Sequence, residues 1–397
     1  MTWRRALAAT GAAGAAALLL AWWWPADPAA PVAPNAQAAD FQAPLKLSGA
    51  AASAASGAPA GAPLSALGLA QRREQLAQWQ GRLARAQQAL AAYQAAAQYP
   101  HESRPIEEHP DQVRPFAPIA EDRALRVPGG AAPQGVRLKT TQERVFASGN
   151  ESSRITVTLQ DMEGRTLPLA VRQATIKEVT PPGKTSSTAP FNATPAFNDG
   201  IYSWVMHPAV QGFATFAGTV RLELHLDHGG QPGFLYFDLV YSPGSAATWL
   251  PGVREAATPA SLDFFLKAQV TQPGRYVLSA RVDDAAGKPV ALALFNGEVA
   301  AGTVEFRLPV FGKLIRDKQA AFPLTLRDVE GFLLKPDAFP DRVMLPRLPG
   351  TVHTSKSYPL AFFSAAEWQS EERTRYLDEL GKDVGEASRK VQELQGP

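Results

Sequence analysis

Six histidines and no cysteine set narrow limits on the chemistry this chain can host. Without Cys there are no disulfides, cysteine nucleophiles, iron–sulfur clusters or thiolate zinc sites. His225, Asp227 and His228 form the one local cluster with metal-ligand spacing. On a strand, positions 225 and 227 share a face, so two ligands could converge there. The same residues run into Gly229-Gly230, which reads more simply as a solvated turn. His101, Glu107, Glu108 and His109 make a second acidic–histidine patch, open to metal or acid–base roles, inside a proline-rich stretch. Asp161 and Asp284 stand beside turns, where calcium is conceivable, but each lacks the number of oxygen ligands calcium takes.

Motifs for other chemistry are missing or broken. There is no Gly-x-Ser-x-Gly elbow and no His-Glu-x-x-His helix. Gly183-Lys184-Thr185 has the ending of a phosphate loop, but Glu178 stands where its first Gly belongs. The sequence therefore assigns no catalytic, cofactor-binding or metal residue and implies no cofactor. A hydrolase built from distant Ser, His and Asp is the third-ranked reading. Lys plus Arg number 39 against 37 Asp plus Glu, a net charge of +2, and the basic residues do not cluster, which argues against nucleic acid as a partner. Tyr202, Trp204, Phe213, Phe216, Phe234 and Tyr236 crowd one region. An exposed aromatic row would suit a glycan; alternate spacing on strands would equally serve a core.

The elements that must position these residues follow from periodicity. Residues 1–24 place Arg4-Arg5 before nineteen uncharged residues, Ala6 to Trp24, and then Pro25. That is the pattern of an export signal. At 1.5 Å per residue the run reaches roughly 28 Å, near the hydrocarbon thickness of a bilayer. It reads as a signal anchor with its N-terminus in the cytoplasm, or as a cleaved signal peptide with the best small-x-small site at Ala36-Gln37-Ala38. Residues 25–64 are mostly Ala, Pro, Gly and Ser and read as a disordered linker.

Residues 65–98 read as a heptad helix. Leu69, Leu76, Leu83, Leu90 and Ala97 recur every seven residues, with Trp79, Ala86 and Tyr93 between them. Residues 99–135 carry prolines at 100, 105, 110, 115 and 118 and predict an extended strap. A C-terminal amphipathic helix is predicted over 364–395, opened by Ser364-Ala365-Ala366-Glu367 as a capping box and seamed by Leu377, Leu380, Val384, Ala387, Val391 and Leu394. The two helices are expected to pack within one chain, with homo-oligomerisation through them as the alternative.

Residues 136–350 read as β. Residues 155–159, 220–226, 276–282 and 304–310 alternate, and Phe234 to Tyr241 is continuous enough to predict burial on both faces. Asp227-His228-Gly229-Gly230 and Asn296-Gly297 are the expected turns between runs. Two strand–turn–strand units look alike: Asp161…Gly164-Arg165 and Asp284…Gly287-Lys288. Asp bonds the backbone two residues on, and Gly takes the positive-φ position. Their separation suits two tandem sandwiches, 136–245 and 258–350, divided near residues 243–260.

Residues 274–317 carry Gly274 and Tyr276 opening a strand, the Asp284-to-Gly287 turn, Gly302 before an alternating strand, and Phe311-Gly312-Lys313. On these marks the stretch 258–340 resembles a β-sandwich module of exported, uncharacterised proteobacterial proteins, found beside varied anchors. The first β region resembles bacterial immunoglobulin-like domains. Where the module usually has Asp-Gly-Pro-Tyr, this chain has Ala321-Phe322-Pro323-Leu324. The resemblance implies a mainly β protein of two tandem immunoglobulin-like sandwiches flanked by two long helices, and carries no catalytic residue. The expected function is non-enzymatic presentation of these modules in a bacterial envelope, for protein–protein or surface interaction. The partners would be the inner membrane, through the N-terminal segment, and an unknown envelope protein. Binding of glycan or peptidoglycan is the second reading.

Overall fold

The computed structural model describes residues 66–125, 135–180, 183 and 185–396. The expected signal segment (1–24) and linker (25–64) lie outside them. Among the described residues no helix is long and apolar enough to cross a membrane.

The chain is mainly β, and its strands close around two separate apolar cores. In the first sandwich one sheet runs β2 (Ile119–Arg123), β3 (Val136–Gln142), β5 (Ser153–Asp161), β9 (Ile201–Met206), β8 (Ala196–Asn198). The facing sheet runs β4 (Phe146–Ser148), β11 (Gln231–Ser242), β10 (Gly218–His228), β6 (Ala170–Glu178), β7 (Phe191–Asn192). Strands β3, β5, β9 and β8 facing β6, β10 and β11 is the immunoglobulin A-B-E-D and C-F-G arrangement. Ile155, Val157 and Leu159 alternate inward from one sheet, Val220, Leu222 and Leu224 from the other, and Trp204 and Phe213 fill the space between.

The second sandwich faces β12 (Ala247–Ala257), β13 (Ser261–Val270) and β16 (Gly302–Phe311) against β1 (Ser103–Pro105), β15 (Pro289–Val299), β14 (Gly274–Asp283) and β17 (Thr325–Leu334). Strands β18 (Arg342–Met344) and β19 (Leu348–Thr354) both pair with β17. Phe306 sits at the centre of this core, its ring 5.2–5.8 Å from those of Phe295, Tyr276 and Trp249.

Several boundaries differ from the sequence expectation. The second sandwich begins at Ala247, not at 258, because β12 pairs with β13 over 247–249 and 253–257, on either side of a bulge. Asn296-Gly297 is no turn: both residues pair with β14 inside β15, and the chain reverses after Val299. The strand from Phe234 to Tyr241 is buried on one face only, since Leu235, Phe237, Leu239 and Tyr241 point inward and Phe234, Tyr236 and Asp238 point out. The two Asp-turn units share a turn but not a place. Asp284 Oδ1 accepts from Ala286 N and Lys288 N, and Asp161 Oδ1 from Glu163 N and Arg165 N. Gly287 and Gly164 take φ of 77° and 83°. Yet β14–β15 is a hairpin within one sheet, whereas the chain after Asp161 pairs back only to Leu167 and then crosses to the other sheet as β6.

The strap is woven in. β1 extends the edge of the second sandwich at β15, and β2 extends the edge of the first at β3. Between them Arg281 Nη1 donates to Val113 O, and the Arg347 guanidinium lies 4.7 Å over the Phe116 ring. Prolines forbid a central strand and permit this edge role. The sandwiches also touch directly. Met344 N donates to Ser148 Oγ, and Arg342 lies between the rings of Phe146 (4.4 Å) and Phe332 (4.9 Å).

Two long helices run antiparallel from the foot of the second sandwich. α1 (Ala66–Ala96) is Ala- and Leu-rich without one β-branched residue, which favours a helix of about 46 Å. A short α2 (Gly312–Asp317) bridges β16 and β17, and its first residue must be Gly because a Cβ there would sit 2.6 Å from Pro259 O. α3 (Glu371–Gln395) follows the tail. Their less exposed positions are Leu76, Trp79, Leu83, Ala86, Leu90 and Tyr93 on α1 and Leu377, Leu380, Val384, Ala387, Val391 and Leu394 on α3, each a three–four seam. Leu69 is a correction: it is 46% exposed because the shorter α3 ends opposite Arg72, whose guanidinium donates to Leu394 O and Gly396 O. The capping box is another. Ser364 N is tied to Pro259 O, so the chain stays extended, and the helix starts later with Ser370 Oγ accepting from Arg373 N.

Candidate functional site

The hairpin β10–β11 turns through Gly229 and Gly230, both at positive φ, which pairs His228 with Gln231. That register sets Arg221 opposite Asp238, Glu223 opposite Tyr236 and His225 opposite Phe234, all facing away from the core. The result is a ladder of planar groups. The rings of His225 and Phe234 are 5.4 Å apart, those of Phe234 and Tyr236 6.2 Å, and the Arg221 guanidinium lies 4.0 Å from the Tyr236 ring centroid. The rings are tilted by 57° and 43°, so the ladder is stepped rather than coplanar.

Ion pairs hold the frame of this face. Asp238 takes Arg221 in a bidentate fork at 2.7 and 2.8 Å, and this bond holds the guanidinium pKa above its ordinary value. Lys177 pairs with Glu223 at 2.9 Å, and Arg172 with Asp227 at 3.3 Å. Three cations meet three anions, so the face carries no net charge. Among the described residues, no side-chain hydrogen bond engages the Tyr236 hydroxyl or the His225 imidazole, leaving both available at the surface.

The other sequence candidates are placed elsewhere. His225, Asp227 and His228 do not converge: His225 stacks on Phe234, Asp227 binds Arg172 and Gly230 N, and His228 Nδ1 contacts Pro168 O at 2.7 Å. In the strap, His101 pairs with Glu102, Glu107 with Lys318 and Glu108 with Arg104, while burial lowers the His109 pKa. Among the described residues no group of His, Asp and Glu could hold a metal ion. Of the six aromatics, Trp204 and Phe213 are core and Phe216 packs against it. The Tyr202 hydroxyl donates to Leu169 O, and only Phe234 and Tyr236 form an outward row. Glu178, in the broken phosphate-loop motif, is buried and accepts from Ser187 N and Oγ.

Sequence reasoning missed one acid–base cluster. The Glu255 carboxylate accepts from His353 Nε2 and Tyr358 OH, each at 2.9 Å, and from Lys356 N at 3.0 and 3.3 Å. Burial pushes its pKa up, but the donors from His353, Lys356 and Tyr358 outweigh that and hold it below the ordinary carboxylate value. Its side chain is 8% exposed, so its lone pairs are spent on the fold. The cluster ties β12 to β19 and the tail across the open side of the second sandwich. No sequence pattern joins positions 255, 353 and 358.

No family model and no curated protein matches the chain. Solved structures with a likeness include a DUF4785 family protein from Legionella pneumophila, 10% identical, over 55% of this chain and 57% of that one, at a TM-score of 0.38. Escherichia coli alpha-2-macroglobulin matches over 58% of this chain and 15% of its own length, at 14% identity and a TM-score of 0.28. The Escherichia coli adhesin FdeC matches over 53% and 64%, at 16% identity and a TM-score of 0.18. This chain thus spans little more than half of the Legionella protein. At these identities and scores the likenesses say nothing about activity, and the fold above rests on strand order alone.

Proposed function

We propose that this chain is a non-enzymatic interaction protein of a bacterial envelope, held at the membrane or released outside it, that presents its β-sandwiches to a partner. The observation that carries the reading is the outward face of β6, β10 and β11, where planar side chains form a stepped ladder on a frame held by ion pairs. The nearest thing to an acid–base site, Glu255 with His353 and Tyr358, is committed to closing the second sandwich. The pattern of residues 1–24 supports export. The seams of α1 and α3 meet each other, so oligomerisation through them is no part of the proposal. A photo-crosslinking side chain at Gln173 or Thr175, neighbours of His225 and Glu223 on β6, should yield a specific adduct in the native host. The same group at Arg137, on the outer face of the opposite sheet, should not. Equal adducts from both faces, or none from either, would remove the assignment.

A further inference from the structure

The geometry points to a neutral glycan as the occupant of the outward face of β6, β10 and β11, an inference that rests on the interaction reading above. Two features of the face select the ligand class. The first is its electrostatics. Arg221, Lys177 and Arg172 are each neutralised by a carboxylate within 2.7–3.3 Å. An anionic ligand would have to displace a carboxylate already in place, and a cationic one a guanidinium or ammonium. A hydroxyl needs neither. It donates and accepts at once, so it can bond the lone pairs and N–H groups left over on an intact ion pair.

The second feature is the ring ladder. Phe234 and Tyr236 are half-buried, and the part of each ring that His225 and Arg221 leave uncovered offers apolar surface to the C–H face of a sugar ring. The Tyr236 hydroxyl and the His225 imidazole stand at its margins as hydrogen-bonding groups without a partner among the described residues. The 43° step between the two rings suits successive sugar units that turn relative to each other, rather than one flat crystalline surface. The hairpin sets the ladder on paired backbone, so little ordering entropy is lost when a ligand lies on it.

The test is co-sedimentation of the full-length chain, carried in phosphatidylcholine nanodiscs, with amorphous, acid-swollen chitin and cellulose, whose chains are not held in flat crystal faces, and with alginate gel as the anionic control. The expected result is retention on at least one neutral polysaccharide that persists at about 1 M salt, where charge attraction is screened within roughly 3 Å. Phe234→Ala and Tyr236→Ala should each weaken retention about tenfold or more, the effect of roughly 1.4 kcal/mol. Phe234→Leu keeps most of the volume without the ring and should lose binding while melting near the parent, which separates recognition from folding. Val205→Ser, on the outer face of the opposite sheet, should leave retention unchanged. Failure to bind both chitin and cellulose, retention indifferent to Phe234→Leu, or binding only to alginate that salt abolishes would each overturn the glycan assignment. If chitin and cellulose fail while crosslinking from Gln173 still captures a protein, the ligand class is wrong and the interaction face stands. If crosslinking fails as well, both readings fall.

Discussion

The two sandwiches use their outward faces in opposite ways. In the second, the strand entering the Asp turn carries Arg281 and Asp283 on the positions that, in the first, are Thr158 and Gln160. Arg281 and Asp283 are nearly sealed, and with Arg327 they form a charged cluster under the strap. Thr158 only donates to Gly200 O beside a half-open surface. The tail also closes the second sandwich: Glu255 grips His353 and Tyr358, and Phe322 stacks at 5.6 Å and 4° on Phe363. The second sandwich thus spends its surface as the foundation for strap, tail and helices. In the first, no other element among the described residues covers the outer face of β6, β10 and β11. In a chain with no disulfide, the second sandwich anchors strap, tail and helices, while the first leaves one sheet face uncovered among the described residues.

The largest blow to this division should come from the core of the foundation. Phe306→Ala removes the ring on which Trp249, Tyr276 and Phe295 converge and should cost about 3–5 kcal/mol. Urea unfolding followed by circular dichroism measures it. A loss under about 1 kcal/mol would mean that this core is not the foundation.

Next in size is the buried charge that distinguishes the copies. Arg281 Nε lies 2.8 Å from Asp283 Oδ1, an ion contact outside hydrogen-bond geometry, while Arg281 Nη2 donates to Asp283 Oδ2 at 2.9 Å. Asp283→Ala leaves Arg327 without its counter-ion and Arg281 with only the longer contact to Asp328 Oδ2 at 3.8 Å, and should cost about 3 kcal/mol. It should also speed proteolysis of the strap between Pro105 and Ile119. Gln160→Ala, at the same offset before the Asp turn of the first sandwich, should change stability by no more than about 0.5 kcal/mol. Equal effects of the two substitutions would erase the contrast.

A smaller effect, with a pH signature, belongs to Glu255. Its folded pKa is lowered, so its contribution is present above the unfolded pKa and is lost as pH falls through the folded one. Glu255→Gln should cost about 1–3 kcal/mol near neutral pH, and the gap to the parent should narrow as pH falls below the ordinary carboxylate range. A gap that widens on acidification would show that the carboxylate is not the favoured form in the fold.

How far this plan could be read from sequence depends on what each residue answers to. The strands over 155–159, 220–226, 276–282 and 304–310 were legible because one polar face per strand leaves a period of two. The seams of both helices were legible for the same reason at a period of three and four. Residues 234–241 misled because Phe234 and Tyr236 face outward, which hydrophobicity alone reads as burial. Asn296-Gly297 misled because a local turn preference was overridden by pairing with β14. The three-residue β1 leaves no periodic trace, and its partner at Ser103 to Pro105 is almost two hundred residues away. The candidate face was within reach. A two-residue turn at Gly229-Gly230 fixes the register, and from it Arg221 must oppose Asp238 and His225 must oppose Phe234. What no arithmetic supplies is that none of the described residues packs above them, which depends on where strap and tail go.

The smallest expected effect tests the helix pair, which extends from the foundation and shares none of its buried charges. Among the described residues its one cross-helix ion pair, Arg82 with Glu386, is 3.6 Å apart with both side chains 47% exposed. Exposed pairs gain little Coulomb energy in water and lose side-chain entropy, so Glu386→Ala should shift stability by no more than about 0.5 kcal/mol. Val391→Ala, in the seam, removes two methyl groups from a buried site and should cost roughly 1–2 kcal/mol. The ratio matters more than either value. If Glu386→Ala proved the costlier of the two, the helices would be held by charge rather than by their seam. The pair would then loosen in salt, while the β-sandwiches above it would not.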